Sequence, residues 1–393
     1  MSARVRVLFV VEGFTDIRFV LGLSRIAELT MLVPQRAYLE SGLDRRLAQA
    51  GLEFPVVQVP GGRLRFQVAS LAPIWRLARH ADVILAQEVL RGALNANIVG
   101  ALRRTPVITY LAVSPLEYFR CRRERGRIGP VTAFVGEAVI RALMMVNGLL
   151  ARRCLAMGAY LQGIAARYCA RTSPGLYYGV DTSFFRPADA AERRELRRRL
   201  DLPADRFLIF LSSRISHEKD PETVLRTTAL ARARGLDAVL LNLGGGFAEF
   251  LGLARALHLP DAETWVLGRP AAHPMTEVAD YFRTADAMAL ASLAEGLGIS
   301  PLESLACGTP VVATAVGGMA VELPGYARLV PRGDADAMAE QLLWIAAHPD
   351  EARAEALRGR AYVEREWNRE KAFDDLRIVL EEVASERHQG HHA

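Results

Sequence analysis

The chain has 393 residues, 51% hydrophobic and 24% charged, with a formal charge of +5 from 49 basic and 44 acidic residues. That length suits two globular domains, and the composition excludes a disordered or fibrous chain. The four cysteines form no CxxC pair, which argues against a disulfide scaffold or a zinc ribbon and for free thiols in a reducing compartment.

The first apolar run, Val7 to Val11, is too short for the core of a signal peptide and fits a first β-strand. No stretch reaches the roughly 18 uncharged apolar residues that a membrane span needs. The expected location is therefore cytoplasmic, with peripheral contact at the inner face of the membrane as a further possibility.

In chain order, apolar strand signals fall at 5–11, 27–34, 54–60, 82–87 and 106–113, separated by segments of helical spacing such as 39–51 and 66–80. Continuous apolar strands alternating with helices predict a parallel sheet covered on both faces. Residues 120–127, RCRRERGR, form a basic loop. The following 131–161 reads as one long helical region, in which Glu137, Arg141, Arg152 and Arg153 interrupt the apolar character. Its simplest reading is core helix; the alternative is a surface for anionic lipid or an acidic acceptor.

A turn-rich stretch, GLYYGVDTSFFRP at 175–187, precedes a charged helical segment, and the α/β pattern then restarts. Strands are predicted at 207–213, 238–246, 264–268, 287–292, 311–314 and 327–331, with charged helices to about 387 and a disordered tail. The predicted organisation is an N-terminal acceptor-binding domain over 1–185, a C-terminal donor-binding domain over 186–375, and a helix end with a tail at 376–393. Ligands of open parallel sheets bind beyond the carboxyl ends of the strands, so two facing sheets would share one cleft.

Two segments carry the chemistry. In SSRISHEKDPETVL (212–225), an apolar strand ends just before Arg214 and Lys219, and Asp220-Pro221 offers an N-cap followed by proline at the first helical position. A basic pair at that place suits a diphosphate, Arg supplying a fork of donors and Lys a compact charge. Lys219 and Lys371 are the only lysines in an arginine-rich chain, which singles out Lys219. His217 lies between the two cations.

The second segment, AEGLGISPLESLACGTPVVAT, places Glu295 and Glu303 on either side of a helix start. Ser300-Pro301-Leu302-Glu303 fits a capping box, giving Glu303 a structural reason to exist. Glu295 has no such reason. It follows a strand, beside Gly296 and Gly298, and a helix N-terminus there would present free N–H groups to a phosphate. Carboxylates beside it accept hydrogen bonds from sugar hydroxyls.

These motifs closely resemble the E-x7-E signature and its companions in the retaining GT-B glycosyltransferases of family four (group 1). The following AVGGMAVEL, the element around Arg214 and Lys219, and YYGVDTSFFRP are also similar, so the resemblance runs from about 175 to 385. It implies a GT-B fold of two Rossmann-like α/β domains and metal-independent sugar transfer with retention from a nucleotide-diphosphate sugar, UDP ranking ahead of GDP.

By the same resemblance, Arg214 and Lys219 would neutralise the donor diphosphate and Glu295 would meet the donor sugar. Gly296, Leu297, Gly298 and Ile299 would bind sugar and phosphate through the backbone, and Glu303 the ribose. Gly244 joins the donor set, Gly13 would approach the diphosphate from the other domain, and the base would lie near Arg269. His273 stands near the same place. Glu117, Tyr118 and His217 are the acceptor-side candidates, with Glu12 and Asp16 behind them. The first loop, VEGFTD, keeps only one of the family's glycines, and the linker has Tyr178 where the family has Asn. No metal, cofactor or nucleic acid is expected; the acceptor would be a glycan, a lipid-linked sugar or a small molecule. Two alternatives stand beside this reading: a sugar-nucleotide epimerase on the same fold, and a non-catalytic nucleotide-sugar-binding protein.

Overall fold

The computed structural model describes residues 4–13, 15–124, 128–269 and 275–389. The chain divides into two units, Met1–Tyr178 with Glu370–Ala393, and Gly179–Arg369.

In the first unit the elements run β1 (Arg6–Val10), α1 (Ile17–Ile26), β2 (Glu28–Pro34), α2 (Gln35–Glu40), α3 (Leu43–Gln49), β3 (Val56–Val59), α4 (Arg63–Ala69), α5 (Leu71–Ala78), β4 (Val83–Ala86), α6 (Arg91–Arg103), β5 (Val107–Leu111), α7 (Pro115–Glu124), α8 (Pro130–Leu150), β6 (Arg153–Met157), α9 (Gly158–Ala165) and β7 (Thr172–Gly175). The second unit contains α10 (Ala190–Arg199), β8 (Phe207–Leu211), α11 (Pro221–Ala233), β9 (Ala238–Leu243), α12 (Phe247–Ala256), α13 (Ala262–Trp265), β10 (Val266–Arg269), α14 (Met275–Thr284), β11 (Ala287–Leu290), α15 (Ile299–Ala306), β12 (Val311–Thr314), α16 (Met319–Glu322), β13 (Arg328–Val330), α17 (Ala335–Ala347) and α18 (Pro349–Glu366). The last helix among the described residues is α19 (Arg369–Gln389).

Both sheets are parallel, ordered β3-β2-β1-β4-β5-β6-β7 and β10-β9-β8-β11-β12-β13. Strands such as VILA and AMAL are buried along their whole length, as expected of sheets covered on both faces. In each sheet the winding direction reverses once, between β1 and β4 and between β8 and β11. A crevice for ligand opens at such a reversal, beyond the strands' carboxyl ends.

Four expectations need correction. The long helical region after 131 is not continuous: α8 stops at Leu150, and CLAM forms the buried β6. A short apolar run has no periodicity of its own, so it merged with the helix before it. The core-helix reading of α8 also fails, since Val131, Phe134 and Leu149 stand in water at 76–77% exposure.

The third correction concerns the boundary. It falls after Tyr178, ahead of 185, and the final helix does not close the second unit but returns to the first. There the Phe373 ring lies against Phe19 with centroids 6.3 Å apart and fills the space over Gly22, which has no side chain to occupy it. Arg153 and Arg152 pair with Glu382 and Glu386, and Arg387 donates to the Ala81 carbonyl. Within the second unit its two ends lie side by side: Val180 N–H donates to Trp367 O at 2.7 Å, and Arg369 N–H to Val180 O at 3.0 Å. The expected disordered tail is helical to Gln389, and 390–393 lie outside the described residues.

Candidate active site

In the second unit, the expected donor residues follow the carboxyl ends of β8, β9 and β11, with Arg269 at the end of β10. After β8 the chain makes a single 3-10 turn, His217–Lys219, and Asp220 enters α11 with a left-handed backbone, its carboxylate accepting from Thr223 Oγ1 at 2.7 Å. This loop presents an exposed Arg214 and a largely buried Lys219.

Lys219 Nζ forms an ion pair with Glu295 Oε2, across 76 residues of sequence. The same carboxylate oxygen accepts from Ser292 Oγ at 3.2 Å, and Leu293 N–H donates to Glu218 O at 2.8 Å, stitching the two loops together. Burial pushes the Glu218 carboxyl up. Its own backbone N–H, the Ser216 hydroxyl and the charges of Lys219 and Arg214 outweigh that and hold it below the ordinary range.

Two glycines make this arrangement possible, because each is crossed by backbone. A Cβ on Gly244 would sit 2.4 Å from Ser213 O, so the glycine turn after β9 lies directly against the loop that carries Arg214. Asn242 supports the same loop, donating to Ser213 O at 3.1 Å. A Cβ on Gly318 would sit 2.0 Å from Gly296 O, and Gly318 N–H donates to that oxygen at 2.7 Å. Gly318 was not among the expected site residues; the glycine pair in AVGGMAVEL was its only signal.

Helix α15 begins two residues earlier than a capping box at Ser300 would set it. Its N-cap is Gly298, at φ 81° and ψ 108°, with no side-chain cap, so the Ser300–Glu303 capping box does not form. Glycine tolerates that backbone where Ser300 would not. Glu303 lies within the helix, buried beside Cys307. Gly308, at φ 67°, ends the helix.

Arg269 ends β10, but its guanidinium is engaged by the carbonyls of Leu200 and Asp201 at 3.3 and 2.9 Å. His217 is half-buried in the turn with Lys219. His273 lies outside the described residues.

The first unit has its own crevice, a cavity of about 750 Å³ at the reversal between β1 and β4. Glu12 and Gly13 after β1, Gln87 and Arg91 after β4, and Tyr118 of α7 line it, with an apolar wall of Phe119, Ile140 and Leu143. Glu12 is 4% exposed, and Arg91 Nη2 donates to its Oε1 at 2.9 Å. Its Oε2 is buried with no hydrogen-bond partner. Such an oxygen is costly unless something donates to it.

The other acceptor-side candidates divide. Tyr118 reaches the cavity. Glu117 takes the Tyr160 hydroxyl instead, and burial pushes its carboxyl up. Asp16 is a structural residue: it caps α1 and binds Arg18, whose charge, against the upward push of burial, holds the carboxyl low. Tyr178, in place of the family's Asn, accepts from Arg18 Nη2 at 2.6 Å. All four cysteines are buried free thiols.

Two parallel α/β units of seven and six strands, each with its crevice at a topological reversal, define the GT-B fold. Residues 192–362, which lie within the second unit, match the family described as Glycosyl transferases group 1.

Among curated proteins, the chain is 36% identical over 150 residues to D-inositol 3-phosphate glycosyltransferase 1 of Catenulispora acidiphila, covering 36% of this chain and 35% of that one. It is 40% identical over 146 residues to the D-inositol 3-phosphate glycosyltransferase of Mycobacterium tuberculosis, covering 36% and 29%. The matches thus span about a third of those relatives' length.

Among solved structures, the Anabaena Alr3699/HepE complex with UDP superposes with a TM-score of 0.76 at 17% identity, over 96% of this chain and 100% of that one. Sucrose-phosphate synthase from Thermosynechococcus elongatus gives 0.72 at 17% identity, over 97% and 99%.

Proposed function

We propose that this protein is a glycosyltransferase that moves a sugar from a nucleotide-diphosphate sugar to a hydroxyl acceptor, with retention at the anomeric carbon and without a metal ion. The observation that carries the proposal is the Lys219–Glu295 pair, set between two glycine-crossed loops at the reversal point of a group 1 unit. A nucleotide sugar brings a diphosphate, which needs donors and positive charge, and hydroxyls, which need acceptors. The pair offers one of each in contact.

When donor binds, Lys219 and Arg214 neutralise the diphosphate, and the first-turn N–H groups of α15 add donors. Glu295 accepts from sugar hydroxyls and Glu303 from the ribose. The bond from the anomeric carbon to the diphosphate oxygen breaks, the acceptor oxygen bonds to that carbon on the same face, and its proton passes to the departing diphosphate. Stabilising the charge that develops on the leaving group is the largest contribution available to such a site. UDP is the preferred nucleotide, supported by the Alr3699/HepE structures with UDP and with UDP-glucose.

The acceptor hydroxyl is assigned to the cavity of the first unit, where Glu12 Oε2 awaits a donor. Glu12→Gln removes the charge and retains the volume. It is expected to raise the acceptor KM about tenfold and leave donor KM within about twofold, as loss of one charged hydrogen bond implies. An unchanged acceptor KM would place the acceptor elsewhere.

Thermal unfolding in the presence of UDP, GDP, ADP and their sugars tests the donor. A ligand at 100 times its Kd stabilises by about 2.7 kcal/mol, so the right nucleotide sugar raises the melting temperature by several degrees. If none does, the donor assignment fails. A sugar-nucleotide epimerase would instead convert the donor with no acceptor present, which product analysis detects.

A further inference from the structure

We infer that one helical face of the first unit docks on an anionic lipid bilayer. The face consists of α5, α6 and α8, which pack side by side, with α7 against α8. A helix on the surface of a water-borne domain turns its polar side outward. Here α8 is apolar on its outward side as well as on its inward one, which buries Ala133 and Met144. Its inward side carries Asn147, whose Nδ2 donates to Leu90 O at 2.8 Å and whose Oδ1 accepts from Asn97 at 2.8 Å. Its outward side presents Val131, Phe134, Val135, Met145 and Leu149, all more than half exposed.

The apolar surface continues across the neighbouring helices through Leu102 of α6, at 68% exposure, and Trp75 of α5, at 42%. Scattered apolar side chains are ordinary on a protein surface. Exposed apolar side chains gathered on three helices that pack side by side mark something that covers them. Among the described residues, α8 is also the only helix long and apolar enough to cross a bilayer. It is instead held by one side to α6 and α7, which leaves it lying along the surface of its unit.

Charge selects the occupant. Helices α5 to α8 carry seven arginines and three glutamates. Of the glutamates, Glu137 already holds Arg120 at 2.7 Å and Glu117 is taken by Tyr160. Arg76, Arg123 and Arg141 stand exposed at the rim of the apolar band. An apolar band rimmed by arginine matches a bilayer in which acyl chains lie beneath anionic headgroups, each basic residue adding attraction near the surface. A second copy of the chain fits poorly, because a two-fold contact would bring the same arginine rim against itself. The outer face and the wall of the first unit's cavity share α8, through Ile140 and Leu143.

Docking is read without donor or acceptor, so its failure leaves the proposed sugar transfer untouched. The test is co-sedimentation of the full chain with vesicles of phosphatidylcholine alone, or of phosphatidylcholine with phosphatidylglycerol. Partition onto the anionic vesicles is expected to be at least about tenfold greater, and to weaken as salt is added. Phe134→Glu with Leu149→Glu, and separately Arg123→Glu with Arg141→Glu, should each reduce it about tenfold or more. These side chains are exposed, so the far-ultraviolet spectrum and melting temperature should not move. Equal binding to both vesicles, binding to neither, or variants that bind like the wild type would each overturn the inference. So would a wild-type dimer that Phe134→Glu dissociates without any vesicle binding, which would assign the face to a second copy.

Discussion

Lys219→Met is expected to lower turnover of the nucleotide sugar by about 10²–10³, the range seen when a donor to a developing negative charge is removed. It also strands Glu295, which is 6% exposed and loses its cation, so a stability loss of about 1–3 kcal/mol should accompany the kinetic one. The two effects separate in a double variant. Lys219→Met with Glu295→Gln removes both charges, and the stability should return to within about 1 kcal/mol of wild type. Turnover should not return. Recovery of turnover together with stability would mean that the pair only holds the loops, and the assignment of Lys219 to the diphosphate would be withdrawn.

Gly318→Ala should be the most damaging single methyl in the second unit. The new Cβ meets the Gly296 carbonyl oxygen at 2.0 Å, and backbone cannot rotate away as a side chain would. Either the Gly318 N–H to Gly296 hydrogen bond breaks or the whole Glu295–Gly298 loop shifts. A cost of about 1–3 kcal/mol is expected, together with loss of the melting-temperature rise given by the donor nucleotide. Gly245→Ala is the control. Its Cβ meets nothing within 4 Å, so it should be neutral or stabilise by up to about 1 kcal/mol through the unfolded chain. Equal losses in the two variants, measured by urea unfolding, would remove the close approach at Gly318 as the cause.

Much of the architecture was legible because parallel strands buried on both faces leave continuous apolar runs. The first five strands and all six of the second unit were found that way. The two that were missed show the limits of the signal. In β6, CLAM follows a long apolar helix with only a short break. In β7, TSPG contains a proline and reads as a turn; the proline is tolerated because β7 is an edge strand, where one side needs no ladder.

The site was legible to a similar degree. Arg214, Lys219 and Glu295 were singled out by their places after strands and Gly244 by the resemblance, but nothing local reveals that Lys219 and Glu295 touch. Their contact depends on β8 and β11 being neighbours, which is a property of the sheet order. The capping box failed for a local reason: Ser300 and Glu303 have the right spacing, but Gly298 turns the chain into the helix before Ser300 is reached. Glu12 was noted only in passing, since its significance rests on an oxygen left without a donor, and no spacing in a sequence records that.

The return of α19 to the first unit bears on how the chain is made. A ribosome releases residues in order, at about 5–20 per second. The second unit is contiguous, Gly179–Arg369, and its strands can pair as soon as they emerge. The first unit starts earlier but lacks α19 until residues 369–389 have been made, so Gly22 waits, uncovered, for Phe373. The half of the protein that is born first is therefore completed last, and a fragment stopped at Tyr178 would hold a nascent domain with its seam still open.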